Sequence, residues 1–233
     1  MEMIVAKDLV KLYNEVAAVD IPEIKINRGE SFGLVGNNGA GKTTFFRLIL
    51  DLIRANKGFI LSKEKNVKQS EHWKEYTGSY LDEDFLISFL TPEEYFDFIG
   101  KVSGLSKDDI SAFYERFKDF FSDEILGKKK YIRDFSRGNQ QKIGIASALM
   151  TIPEVLILDE PFVHLDPSTQ IRLKNMLNEL KTEKGITMLI SSHDLNHVTE
   201  VCERIVVLEK GQVIHDIVGT KNTLKELEAY FSV

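Results

Sequence analysis

Eight consecutive residues, Gly36-Asn37-Asn38-Gly39-Ala40-Gly41-Lys42-Thr43, spell G-x-x-x-x-G-K-[ST]. The glycines permit backbone angles closed to bulkier residues. Successive N–H groups can then converge on phosphate oxygens. A helix starting at Lys42, Thr43 and Thr44 adds the positive end of its dipole. Lys42 has the reach and charge for β- and γ-phosphates, and the Thr43 hydroxyl suits Mg²⁺. The competing reading is a glycine-rich turn with a solvated lysine. The flanking pattern, an apolar run before and a helical run after, favours the phosphate loop.

A second constellation is Asp159-Glu160, directly after Val155-Leu156-Ile157-Leu158. Four apolar residues in a row suit a strand buried on both faces. Ligands of open α/β sheets bind at the C-terminal ends of such strands. Asp159 is the candidate Mg²⁺ ligand, directly or through water. Glu160 is the candidate to polarise a water for attack on the γ-phosphate. Alone, the two acids read equally well as caps of the following helix. Together the two motifs specify a phosphate-loop nucleoside triphosphatase and no more.

Such chemistry needs strands that end at one edge. Met3–Val5, Ile24–Ile26 and Phe32–Val35 read as strands between turn residues. Phe45–Arg54 reads as a helix packed deep on a sheet. Gly58–Leu61, Thr77–Leu81 and Thr187–Ser191 are further strands, and Ile205–Leu208 with Gln212–Ile214 forms a terminal hairpin. Strands alternating with helices predict an α/β core with a mainly parallel sheet. From Asp84 to Phe121 the character changes, with eight of the fifteen phenylalanines. Thr91-Pro92-Glu93-Glu94 is a capping box with proline at the first helical position. It predicts a helix over Pro92–Val102. The next helix follows Ser106 and aligns Ile110, Phe113, Tyr114, Phe117 and Phe121 on one face. Another runs from the Phe135-Ser136-Arg137-Gly138 segment to Met150.

The composition sets limits. The chain has 233 residues, 30 Lys and Arg against 36 Asp and Glu, and a net charge of −6. That argues against a general nucleic-acid binder. A single cysteine, Cys202, excludes an internal disulfide framework. No apolar run reaches the ~20 residues that cross a bilayer, and the first residues lack a signal-peptide pattern. A reducing cytoplasm is the expected setting.

Further motifs narrow the class. Phe135-Ser136-Arg137-Gly138-Asn139-Gln140-Gln141-Lys142 resembles the signature of ABC-type ATPases. Glu160-Pro161-Phe162-Val163-His164-Leu165-Asp166-Pro167 resembles their extended second motif and D-loop. Ser191-Ser192-His193-Asp194 resembles their switch histidine, and Tyr13, about 23 residues before Gly36, their adenine-stacking aromatic. Order and spacing match over nearly the whole chain. Leu90-Thr91-Pro92-Glu93-Glu94-Tyr95-Phe96 looks most like subunits serving ABC-2 type exporters.

The resemblance implies a RecA-like phosphate-loop fold with N-terminal antiparallel strands. The ATP-binding core would be 1–82 and 143–233, with an inserted helical subdomain over 83–142. It implies ATP and Mg²⁺ as cofactors, with Lys42, Glu160 and His193 catalytic. It places Tyr13, Gly36 to Thr44, Ser136, Gly138, Asn139 and Asp166 on nucleotide, and Thr43, Asp159 and Asp82 on the metal. Two chains, a homodimer in the simplest case, would sandwich two ATP molecules, with each signature facing its partner's γ-phosphate. A separate polytopic permease would hold the chain on the inner face of the membrane. Export is the preferred direction.

Four positions depart from the family pattern. Arg137 stands for the first signature glycine, and Asn139 for the glutamine. Asp82 or Glu83 occupies the position of the Q-loop glutamine, and Lys142 replaces an arginine, losing a bidentate fork. Slow or partner-dependent hydrolysis is the expected consequence. Two other classes stay open: a soluble ABC-type ATPase, for example in cofactor assembly, and a catalytically silent regulatory subunit.

Overall fold

The computed structural model describes residues 1–218. The end of the predicted 143–233 core segment, residues 219–233, lies outside the described residues.

The chain opens with two long strands, β1 (Glu2–Tyr13) and β2 (Val16–Asn27), paired antiparallel. Each extends far beyond the short apolar runs that announce it, because alternate residues face solvent along the hairpin. β3 (Ser31–Val35) is wholly buried. After α1 (Lys42–Ile49), β4 (Lys57–Ser62) and the short β5 (Lys65–Asn66) complete a four-stranded sheet in the order β2-β1-β4-β5. β6 (Thr77–Tyr80) leads into the helical insert. Here α2 (Pro92–Val102) and α3 (Lys107–Phe121) start at capping boxes built on Thr91 and Ser106. α4 (Arg137–Ala148), β7 (Val155–Leu158), α5 (Pro167–Lys184), β8 (Thr187–Ser192), α6 (Leu195–Val201), β9 (Arg204–Glu209) and β10 (Gln212–Val218) follow.

The second sheet runs β10-β9-β3-β8-β7-β6. Its strands are parallel except β10, which returns antiparallel to β9. The two-residue period divides two cores. Phe32, Leu34, Val155, Ile157, Leu189 and Leu208 pack with α1 and the antiparallel sheet. Val35, Leu156, Leu158, Met188 and Ile190 pack with the helices of the opposite face.

Two expectations need correction. The helix read over Phe45–Arg54 spans Lys42–Ile49, because Leu50 ends it and Asp51 turns to a left-handed φ of 48°. The apolar residues beyond do not extend a helical face; Leu52 is exposed. The subdomain limit at 142/143 falls inside the continuous α4. The buried core is likewise unbroken from the sheet into the insert.

The insert is held by aromatic packing. Phe96 of α2 meets Phe113 edge-on at 4.9 Å and Phe121 stacked at 5.7 Å, and Phe117 stacks on Phe121. These four rings are buried, so the phenylalanine stripe is mostly core. Phe85, Phe89 and Phe98 are the exposed exceptions. Gly144 of α4 lies against the Tyr80 ring, where a methyl group would overlap it. This close approach seats α4 on β6.

Phe96→Ala is expected to cost about 3–5 kcal/mol of stability. Urea unfolding would show it as a lower midpoint, and an unchanged midpoint would contradict the ring cluster's role.

Candidate functional site

The parallel registers bring three strand ends together. Val35 of β3 lies opposite Ser192 of β8, and Ile190 of β8 opposite Leu158 of β7. The segments that follow, 36–43, 159–160 and 193–194, therefore emerge side by side.

The loop between β3 and α1 is shaped by its glycines. Gly41 caps α1 at a φ of 107°, and no side chain caps the helix. At Gly36 a Cβ would strike the Leu208 carbonyl. These positions admit only glycine, and they leave N–H groups of the first turn facing a cleft. Its walls include Tyr13, Asn38, Gly39, Thr43, Thr44 and Glu160. Lys42 is 6% exposed and folds back, its Nζ donating to the Gly36 carbonyl at 2.6 Å. Ala40 N–H closes the turn onto the Asn37 carbonyl at 3.0 Å. Asn38 to Thr44 thus line one cleft, with Tyr13, 48% exposed, also lining it.

Asp159 is buried and accepts hydrogen bonds from the Thr43 and Ser191 hydroxyls. Burial pushes its carboxyl above the usual range, and these two hydrogen bonds oppose the shift. Glu160 adopts a φ of 48°, unusual for its type, which turns its side chain across the cleft. Its Oε1 lies 3.2 Å from Lys42 Nζ, an ion pair whose angles do not make it a hydrogen bond. Its Oε2 is 2.9 Å from His193 Nδ1 and accepts from the His193 N–H at 3.2 Å. Glu160 is therefore in direct contact with both Lys42 and His193.

Two residues that hold this arrangement carry no role in the sequence reading. Ser191 accepts from the Glu160 N–H at 2.9 Å while donating to Asp159. Gln141 of α4 donates to the Glu160 carbonyl at 3.1 Å. Ser191 stood inside the Ser-Ser-His-Asp motif and Gln141 inside the signature-like run. Pairing with a distant backbone has no local sequence signal.

The signature-like segment begins α4. Ser136 caps it, accepting from the Asn139 N–H at 3.3 Å. Gly138 has the His164 carbonyl where a side chain would begin. Asp166 caps α5, and bonds from Ser168 and Thr169 hold its carboxyl below the carboxylate range. These residues lie outside the cleft around Lys42 within one chain. Asp82 also departs from expectation. One carboxylate oxygen pairs with Arg47 at 3.2 Å and the other accepts from the Asp84 N–H at 3.0 Å. Arg47 sits one turn of α1 beyond Thr43, so Asp82 is engaged there rather than joining Thr43 and Asp159. Lys142 is buried and pairs with Glu124 at 3.1 Å.

Removing the Ser191 hydroxyl would strand both Asp159 and the Glu160 N–H. Ser191→Ala should cost about 1–3 kcal/mol, measurable by thermal or urea unfolding; a neutral result would mean water replaces the hydroxyl.

Residues 19–163 match the sequence pattern of the ABC transporter family. An ABC transporter ATP-binding protein of Synechocystis sp. is 35% identical over 82% of the chain, which spans 54% of that relative's length. The bacitracin transport ATP-binding protein BcrA of Enterococcus faecalis is 32% identical, covering 93% of this chain and 70% of its own. Among solved structures, an ATP-binding subunit of an ABC transporter superposes with a TM-score of 0.81 at 29% identity, over 99% of this chain and 93% of the other. A dimeric cassette bound to ADP and phosphate also reaches 0.81, at 22% identity over 93% and 98% of the two chains, a likeness of fold. On this extent of match the chain belongs to the ABC transporter ATP-binding family, whose cassettes bind and hydrolyse ATP.

Proposed function

We propose that this chain is the ATPase subunit of an ABC exporter, working as a pair of cassettes that drive a separate transmembrane partner. The observation that carries the reading is the Glu160 carboxylate held between Lys42 and His193 at the mouth of the phosphate loop. A silent regulatory subunit would not need a carboxylate so placed.

In this reading the adenine stacks on Tyr13 and the phosphates meet the N–H groups from Gly36 to Thr44. Lys42 leaves the Gly36 carbonyl for the β- and γ-phosphates. That frees Glu160 to take a proton from a water attacking the γ-phosphorus, while the bond to the β–γ bridging oxygen breaks. His193 donates a hydrogen bond to the γ-phosphate and senses its loss. The Thr43 hydroxyl and buried Asp159 suit a Mg²⁺ site: a carboxylate under a desolvation penalty and a hydroxyl in contact form a hard-oxygen pair. When bound, Mg²⁺ supplies charge neutralisation along the phosphates. Asp82 is not in that pair.

Ser136, Gly138, Asn139 and Asp166 would serve the nucleotide of a second copy, since they lie away from the cleft of their own chain. The helical insert, which begins after β6 and continues into α4, would pass the closing motion to the permease through the exposed Phe85 and Phe89. Among the described residues no helix is long and apolar enough to cross a membrane, and in this reading the permease is a separate chain. Placement at the inner membrane face follows from that partner. Export rests on the resemblance of residues 90–96 to exporter-serving subunits, and the likeness to the bacitracin transport protein BcrA supports a transport role.

Glu160→Gln should lower turnover at least about 100-fold while ATP stays bound and links two chains, read by light scattering. Unchanged turnover would remove Glu160 from the chemistry. Lys42→Ala should abolish ATP binding in equilibrium dialysis. Asp82→Asn, in contrast, should leave the Mg²⁺ dependence of turnover unshifted; a raised Mg²⁺ requirement would return Asp82 to the metal.

A further inference from the structure

The turn that carries Glu160 and the turn that carries His193 are joined at a second place, through α6. His197 lies four residues past His193, and its ring is tilted on that of Phe162 with centroids 4.7 Å apart. Phe162 is buried and stands two residues past Glu160. Gln170 of α5 donates to its carbonyl at 2.9 Å, which fixes its backbone. His197 Nε2 lies 3.6 Å from Asp194 Oδ2, beyond hydrogen-bond reach. Asp194 follows His193 and caps α6 through its other oxygen, Oδ1. One imidazole therefore touches the neighbours of both Glu160 and His193.

Histidine is a costly residue for this place. Among the described residues its Nδ1 is buried and has no hydrogen-bond partner. An apolar ring of similar shape would pack on Phe162 without that unmade bond. Burial holds the imidazole below the usual histidine pKa; Lys174 of α5 and His193 add to the shift, while Asp194 and Glu200 oppose it. The ring is thus neutral at pH 7. As the pH falls below about 6.5, the unfolded chain takes this proton first, so the stability the neutral ring contributes is lost on acidification.

We propose that His197 is a positioning residue: its neutral ring is a wedge between Phe162 and Asp194 that fixes the Glu160 and His193 turns relative to each other, and proton uptake releases the wedge. This rests on the roles given to Glu160 and His193 above. A charged ring is drawn toward Asp194 and water. It is also repelled by Lys174, whose Nζ lies 5.9 Å from the Phe162 centroid. Either displacement removes the support of Phe162 and loosens the 2.9 Å contact between Glu160 and His193. Misplacing reacting groups by a fraction of an ångström slows turnover without weakening ground-state binding. His197 itself touches no substrate and moves no proton in the reaction.

The test measures kcat and KM for ATP in the full chain. His193→Ala comes first: if it leaves kcat unchanged, the role given to His193 fails and this proposal with it. If kcat falls, His197→Leu should lower kcat about tenfold with KM unchanged. Beside His193→Ala the same substitution should add less than about twofold, a coupling that a merely structural role would not produce. His197→Phe keeps a ring on Phe162 but takes no proton, so its kcat should hold to lower pH than that of the unsubstituted chain. Urea unfolding checks both variants; where His197→Leu is poorly folded, the acid limb of His197→Phe decides. An unchanged kcat in folded His197→Leu, a raised KM, an equal loss in both backgrounds, or identical acid limbs with and without His197→Phe would overturn the proposal.

Discussion

The parallel pairing of β3, β8 and β7 is the constraint on which everything else rests. A parallel ladder makes neighbouring strands end at the same edge. The phosphate loop, the Ser191–His193 segment and Asp159-Glu160 are consequences of where those strands stop. β8 is buried on both faces, and a one-residue slip would send Leu189 and Ile190 each into the other's core and displace the residues that follow the strand. Packing far from the nucleotide thus sets the geometry of the carboxylates.

Within that frame the site is a chain of competing charges. Lys42 sits almost out of solvent between loop carbonyls and the Glu160 carboxylate. Asp159 is buried deeper and shares hydroxyls with Thr43 and Ser191. Each group has a partner inside the protein that an ATP phosphate or a cation would replace. The site is pre-formed in position but occupied by its own side chains. Binding therefore exchanges partners instead of exposing bare charge, which a low-dielectric cleft would penalise severely.

The helical insert connects to this edge through contacts that are mostly not charged. The rings around Phe96 make it one body, and Gly144 against Tyr80 sets it on β6. Gln141 then reaches the Glu160 backbone from the same helix that carries Ser136 and Arg137. Movement of the signature-bearing helix would be felt at Glu160 through one amide and a tightly packed glycine.

Much of this was legible in the sequence, for local reasons. The loop motif Gly36 to Thr43, the apolar run ending at Asp159-Glu160, and the capping boxes at Thr91 and Ser106 each state their structure within a few residues. The signature-like run 135–142, the segment 160–167 and Ser191-Ser192-His193-Asp194 then carried the resemblance to the ABC-type cassette. The limits of α1 and the lengths of β1 and β2 were not legible. Helix ends depend on a single left-handed residue, here Asp51, and the two long hairpin strands alternate buried with exposed positions. Nor could the sequence assign Asp82 to Arg47, Ser191 to two carboxylate neighbours, or Gln141 to the Glu160 carbonyl. Residue types and local periodicity determine which chemistry the chain carries. Only the tertiary structure decides which groups meet, because those contacts join residues far apart in the chain through sheet register and packing.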